Sequence, residues 1–208
     1  MLGEAAIRIV AACMAAFAAS LLVLVPLLGR PGRSAPLRAK TDREPLIIGV
    51  GGLVSQLAVT FYPALVAAFP SLTYGTVLQW SFPDDDILQL VGIGLWVLGA
   101  ALILWSFRFI GRYLSVSGGG VIAEHELVTS GPYARIRHPV YAGVIYLGLG
   151  VTLVFQSYLM LIFLGPAAGY SLHRARLEEQ VLSSPAGFGN AYRAYMARTG
   201  RFFPRLRA

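Results

Sequence analysis

Three long apolar stretches constrain this chain more than any other feature. They cover residues 5–28, 46–69 and 87–110. The hydrocarbon core of a bilayer is about 30 Å thick, and a helix needs about 20 apolar residues to cross it. Hydrophobic residues make up 56% of the chain and charged residues only 13%, which is unlike the composition of a soluble domain. The sequence therefore predicts an all-α, polytopic membrane protein.

A fourth apolar stretch, residues 139–172, carries no formal charge and has Gln156-Ser157 near its middle. It is longer than one span needs and shorter than two full spans. We therefore expect a C-terminal helical hairpin that turns near Gln156, which makes about five transmembrane helices. The alternative is one tilted helix that ends at Gly165-Pro166 and is followed by a buried loop.

Charged residues between the stretches predict the orientation, because lysine and arginine are enriched in cytoplasmic loops. Basic residues crowd the first loop, the third loop and the C-terminal tail, whereas Asp84, Asp85 and Asp86 mark the second loop. This pattern predicts an N-terminus outside, with the third loop and the C-terminus in the cytoplasm. We divide the chain into residues 1–110, with three N-terminal helices, and residues 111–208, a C-terminal core.

The tail is predicted to leave the membrane as a helix from Arg174, to break at residues 187–189 and to form a short helix over residues 191–199. Tyr192 and Tyr195 lie three residues apart, on one face of that helix. We expect them to anchor it at the membrane interface.

The net charge is +7, yet the basic residues lie beside apolar spans, without a polar domain that could form a nucleic-acid groove. No nucleic-acid partner is expected, and anionic lipid headgroups fit better. The only cysteine, Cys13, excludes an intrachain disulfide and a cysteine metal cluster. We therefore expect no metal.

Arg174 and Glu178 lie at positions i and i+4 of a predicted helix and share one face. The predicted topology brings them to the same membrane surface as Arg137, His138 and Tyr141. Together these groups could hold a ligand that bears both charges. An exposed i,i+4 pair can also do no more than solvate a helix end.

Two ordered motifs in the C-terminal part resemble the isoprenylcysteine carboxyl methyltransferase and phospholipid methyltransferase family. The first signature contains Leu127-Val128-Thr129-Ser130-Gly131-Pro132-Tyr133 and Arg137-His138-Pro139-Val140-Tyr141-Ala142-Gly143. The second contains Glu178-Glu179, Phe188-Gly189, Tyr192, Tyr195 and Arg198-Thr199-Gly200-Arg201-Phe202-Phe203-Pro204. The resemblance implies an integral membrane enzyme that uses S-adenosylmethionine, with residues 111–208 as its catalytic core. On the predicted topology its active site faces the cytoplasm.

The resemblance also implies roles for individual residues. The cofactor site would be formed by His125, Glu126, Leu127, Val128, Tyr133, His138, Pro139, Val140, Tyr141 and Glu178. Arg174 matches the family arginine that faces the methyl acceptor. Glu179 is a candidate proton acceptor if the substrate is an amine. The cofactor would enter from the cytoplasm, and a lipophilic acceptor would enter from the bilayer.

Two other functions remain open at this point. A membrane reductase of the sterol type has distantly similar C-terminal motifs and would bind a nicotinamide dinucleotide. A non-catalytic membrane accessory protein could keep the same scaffold. The acceptor group, whether carboxylate, amine or thiol, and the oligomeric state are also open; Gly92, Gly94 and Gly99 would suit close helix packing, most commonly within one chain.

Overall fold

The computed structural model is a bundle of helices. It describes residues 3–28, 37–40, 45–72, 74–83, 85–110, 120–122 and 126–205. Within these ranges the α-helices are α1 (Glu4–Leu28), α2 (Leu46–Ala68), α3 (Asp85–Ile110), α4 (Pro139–Phe155), α5 (Tyr158–Leu182) and α6 (Asn190–Arg198). Short 3-10 turns occur at Pro70–Leu72 and Gly131–Ala134. The predicted helical fold is confirmed.

Helices α1, α2 and α3 are long and apolar enough to cross a membrane. Their ends lie within two residues of the predicted ones. Large apolar side chains cover their outer surfaces; Ile47 on α2 is 87% exposed and Val97 on α3 is 54% exposed. Such an apolar outer surface is suited to lipid rather than to water. Helix α4 is apolar but has only 17 residues, so crossing by α4 and α5 remains a prediction.

Helices α4 and α5 form the predicted hairpin, and the alternative of one tilted helix is wrong. Gln156 ends α4 with φ 49° and ψ 45°, a left-handed conformation that is uncommon for a residue with a side chain. Its Nε2 donates to Oδ1 of Asp85 at 2.5 Å, and its carbonyl accepts from the Trp80 N–H at 2.9 Å. These bonds connect the turn to the second loop. Pro166 lies inside α5 rather than at its end.

Glycines allow α3 and α4 to approach backbone to backbone. A Cβ added to Gly99 would lie 2.6 Å from the carbonyl oxygen of Gly143, and one added to Gly92 would lie 2.9 Å from that of Gly150. Small residues permit this contact between membrane helices. Gly92 and Gly99 therefore serve packing within the chain, whereas a Cβ on Gly94 would meet nothing within 4 Å.

A two-stranded antiparallel ribbon joins the first and third loops, and the sequence did not predict it. Strand β1 (Leu37–Lys40) pairs with β2 (Gly120–Ile122), with Leu37 opposite Ile122. The second loop instead bridges to the hairpin turn, through Gln79 and Ser157. The first and third loops therefore lie at one end of the bundle, and the second loop and hairpin turn lie at the other.

Beyond residue 172, α5 continues without interruption to Leu182, and α6 follows after a turn at residues 183–189. The predicted helix at Arg174, the break and the short helix are thus confirmed, and the exit from the membrane stays a prediction. An apolar core holds α1, α2, α4 and α5 together, and its buried members are Ile7, Ala11, Met14, Tyr62, Val66, Val151, Val154, Phe155 and Met160.

Candidate active site

The segment before α4 turns sharply at Gly131 and brings Tyr133 into the interior. Gly131 has φ +59°, and a Cβ there would lie 2.4 Å from Cε2 of Phe109 on α3. Only glycine combines this conformation with such a close neighbour. Pro132 then begins the 3-10 turn. Tyr133 is 5% exposed, and burial raises the pKa of its hydroxyl.

Helix α6 packs against this turn through its tyrosines. The Tyr195 hydroxyl donates to the Tyr133 carbonyl at 2.6 Å, and the rings of Tyr192 and Tyr195 lie 5.7 Å apart. Both side chains are 2% exposed, and burial raises the pKa of Tyr195 to about 12. The predicted role as interfacial anchors is therefore wrong. Their spacing showed a shared face but not that this face would be covered by the protein itself.

The first residues of α4 place a histidine between two carboxylates. Pro139 begins the helix, where its missing N–H has no helical partner to lose; it is buried, and Val140 is half-buried. His138 caps this helix end, with its Nδ1 3.5 Å from Oε2 of Glu178 and its Nε2 3.3 Å from Oε1 of Glu179. Burial alone would lower the pKa of His138, but Glu178 and Glu179 outweigh it and raise the pKa. The charged imidazolium is thereby favoured.

Glu178 on α5 contacts side chains at the beginning of α4. Its Oε1 accepts a hydrogen bond from the Tyr141 hydroxyl at 2.6 Å and lies 3.8 Å from Nη2 of Arg174. Burial acts to raise the pKa of Glu178, but His138, Tyr141 and Arg174 together lower it. The carboxylate is therefore ionised within a group of polar side chains from both helices. The structure brings these four predicted residues together.

Glu179 faces a different set of partners. Its Oε1 accepts from Nε of Arg137 at 2.9 Å, and its Oε2 accepts from Nη2 of Arg201 at 2.5 Å. Its side chain is 5% exposed and that of Arg137 is 9% exposed. Burial alone would raise the pKa of Glu179, but His138, Arg201 and Arg137 lower it.

The residues that the resemblance assigned to the site did not include Arg137 or Arg201, although Arg137 was expected at the same membrane surface as Arg174 and Glu178. Both lie in the two signatures, so their positions were visible but their partners were not. The available signal was geometric. Consecutive residues of a helix point about 100° apart, so Glu178 and Glu179 share His138, which lies between them, and otherwise face different partners.

The remaining predicted residues lie upstream of the Gly131 turn. Glu126 is exposed, and Leu127 and Val128 are half-buried. His125 lies outside the described residues. The arrangement as a whole is a buried cluster of carboxylates, imidazole, guanidinium and phenol groups at the end of the bundle that carries the β-ribbon.

Comparison with known proteins gives a family match over much of this part of the chain. The family model for phospholipid methyltransferases matches residues 87–185, which include most of α3, the first signature, Arg174, Glu178 and Glu179. No curated protein matches the chain. The match confirms the family resemblance over the first signature and the beginning of the second, Glu178-Glu179, in just under half of the chain.

Proposed function

We propose that the protein transfers a methyl group from S-adenosylmethionine to a lipophilic acceptor at a membrane surface. The observation that carries this proposal is the cluster around Glu178, where His138, Tyr141 and Arg174 converge within the part of the chain that matches the family. Membrane-exposed helices around the cluster would give a lipid direct access to it.

The side chains of the cluster fit the chemical groups of S-adenosylmethionine. Glu178 suits its ammonium group. His138, whose pKa is raised by the neighbouring carboxylates, suits its carboxylate when the imidazole is charged. The phenol faces of Tyr133 and Tyr141 suit its sulfonium. The proposed cofactor site also includes His125, Glu126, Leu127, Val128, Pro139 and Val140.

When bound, S-adenosylmethionine supplies a methyl group on an electrophilic sulfur. The protein must then align donor and acceptor and exclude competing water, because the transfer is an in-line displacement. Burial of Tyr133, His138 and Glu179 would limit water at the cluster. A covalent protein nucleophile is not required.

Arg174 is the residue that we propose to hold the acceptor. Its side chain is 14% exposed and lies on the same helix face as Glu178, so its guanidinium could pair with a carboxylate or a phosphate. Glu179 is already held by two arginines and its pKa is lowered, which favours charge pairing over proton removal. These contacts favour a carboxylate acceptor, whereas the family match favours a phospholipid amine.

The predicted topology completes this proposal. The end of the bundle that carries the β-ribbon would face the cytoplasm, where the cofactor enters, and the N-terminus would lie outside. Basic residues around this end would contact anionic lipid headgroups. The acceptor would reach Arg174 sideways from the bilayer.

Calorimetric titration of the detergent-purified protein with S-adenosylmethionine tests the cofactor. We expect saturable binding that weakens at least about tenfold in Glu178→Gln, because the charge that pairs with the ammonium is lost. Glu4→Gln, which removes an exposed carboxylate at the opposite end of the bundle, is the matched control. Absence of binding, together with saturable binding of a nicotinamide dinucleotide, would favour the reductase.

Methyl-labelled cofactor then distinguishes the acceptors. The protein is incubated in vesicles with a farnesylated cysteine analogue or with phosphatidylethanolamine. A methyl ester releases volatile methanol in alkali, whereas an N-methyl group does not. Alkali-labile label would identify a carboxylate acceptor, stable label in lipid an amine, and no label with either substrate would count against both.

A further inference from the structure

The C-terminal segment, residues 199–205, is attached directly to the first signature. The Arg137 N–H donates to the Gly200 carbonyl at 2.8 Å, and the Gly200 N–H donates to the Arg135 carbonyl at 3.1 Å. The His138 N–H donates to the Arg201 carbonyl at 3.0 Å. The backbone of the tail therefore runs beside the residues that lead into the candidate site.

Side-chain ion pairs fasten the same contact. Glu179 receives the guanidinium groups of Arg137 and Arg201 on its two oxygens. Arg137 also donates to the carbonyl groups of Met196 and Thr199. One buried carboxylate thus joins α5, the first signature and the tail. Buried charges are tolerated when they are paired and hydrogen-bonded in this way.

His138 connects this cluster to Glu178. Its two ring nitrogens lie within 3.3 Å and 3.5 Å of Glu179 and Glu178, respectively, and the ring of Phe202 stands against it at a centroid distance of 6.4 Å. Loss of the positive charge of Arg201 beside Glu179 would therefore change how strongly each of the two carboxylates attracts the imidazole.

We propose that Arg201 is a positioning residue for the cofactor site, which acts through Glu179 on His138 and so on Glu178. The inference deepens the proposed function and rests on it. Arg201 would hold Glu179 in place, so that the imidazole of His138 contacts both Glu179 and Glu178. The tail would thereby form one wall of the site. Glu179 would then serve as an ion-pair partner and not as a proton acceptor.

Removal of Arg201 has a predictable electrostatic result. With one cation fewer, Glu179 attracts the imidazolium more strongly, so the pKa of His138 rises further. Glu178, Glu179 and Tyr141 contact that ring, and the two carboxylates are paired in turn with Arg174, Arg137 and Arg201. Because binding of a ligand carboxylate would need charged His138, the alkaline limit of binding should move to higher pH.

The test measures binding of S-adenosylhomocysteine from pH 5 to 9, together with thermal stability. Arg201→Gln is expected to weaken binding about tenfold, the effect of losing one hydrogen bond to a charged group, and to move the alkaline limit upward. Arg201→Lys keeps the charge and should recover part of the affinity. Arg193→Gln is the control, because Arg193 is exposed and bonds to Asn190, three residues before it, at 3.3 Å.

The outcomes separate the two proposals. If the wild-type protein does not bind S-adenosylhomocysteine, both the proposed function and this inference are refuted. Wild-type affinity in Arg201→Gln overturns the positioning role alone. Weaker binding with an unchanged alkaline limit would show that Arg201 is merely structural, and so would equal losses in Arg201→Gln and Arg201→Lys. If Arg201→Gln does not fold, Glu179→Gln takes its place. It removes the anion that raises the pKa of His138, so the alkaline limit of binding should move to lower pH, and an unchanged limit would overturn the inference.

Discussion

Replacement of Gly99 by alanine should separate α3 from α4, whereas the same change at Gly94 should not. The new Cβ at Gly99 would lie 2.6 Å from the Gly143 carbonyl oxygen and 2.9 Å from the Leu147 nitrogen, both backbone atoms. Because neither atom can rotate away, the helices must move. Contacts under 3.0 Å are essentially never adopted, so the first distance must lengthen by at least 3.0 − 2.6 = 0.4 Å.

The magnitude follows from a comparison within one helix. Glycine to alanine gains up to about 1 kcal/mol of helix propensity at either position, so this gain cancels between the two variants. The remaining difference is the overpacking energy, about 1–3 kcal/mol. At about 2–4 °C per kcal/mol for a chain of this size, Gly99→Ala should melt roughly 2–12 °C below Gly94→Ala.

Both variants are purified in the same detergent and melted by tryptophan fluorescence. The double variant Gly99→Ala/Gly143→Ala should lose less than the sum of its single changes, because both methyl groups occupy one contact. Equal melting temperatures for Gly99→Ala and Gly94→Ala would refute the close approach. A smaller effect should appear in cofactor affinity, since α4 carries Tyr141.

Three further predictions concern the tail, the buried carboxylate and the hairpin turn. Tyr195→Phe leaves the buried Tyr133 carbonyl without its 2.6 Å hydrogen bond and should cost about 1–3 kcal/mol in a thermal melt. Folding lowers the pKa of Glu179, so the ionised carboxylate stabilises the fold at pH values above its ordinary pKa of 4.5. The difference in melting temperature between wild type and Glu179→Gln should therefore be largest at neutral pH and should decrease as the pH falls below 4.5. Gln156→Gly should be about 1 kcal/mol more stable than Gln156→Ala, because both lose the side-chain bonds but only glycine avoids the left-handed penalty.

The sequence predicted the helices well because length and polarity decide them. An uncharged stretch of this size has few alternatives, and Gln156 was its obvious polar interruption. The β-ribbon was missed for a physical reason. Strands of four and three residues are too short to show an alternating pattern, and the pairing of Leu37 with Ile122 joins distant loops. Only the packing of the helices brings such loops together.

The candidate site was predictable only where helical geometry connects residues along the chain. Arg174 and Glu178 follow from their spacing. The partners of Glu179 come from the first signature and the tail, and no local rule relates Arg137 to Arg201. The burial of Tyr192 and Tyr195 was missed because the pattern of a short helix does not identify the surface that covers it.

The charge balance of the site bears on the acceptor. Among the described residues, Arg137, His138, Arg174 and Arg201 contribute four positive charges when the imidazole is protonated, and Glu178 and Glu179 contribute two negative ones, a net +2. On the proposed function, S-adenosylmethionine adds an ammonium, a sulfonium and one carboxylate. The acceptor should therefore bring negative charge, as a carboxylate or a phosphate does, and methyl transfer would relieve repulsion by removing the sulfonium charge. An uncharged acceptor would leave the positive charges of the site and the sulfonium without a balancing negative charge before transfer.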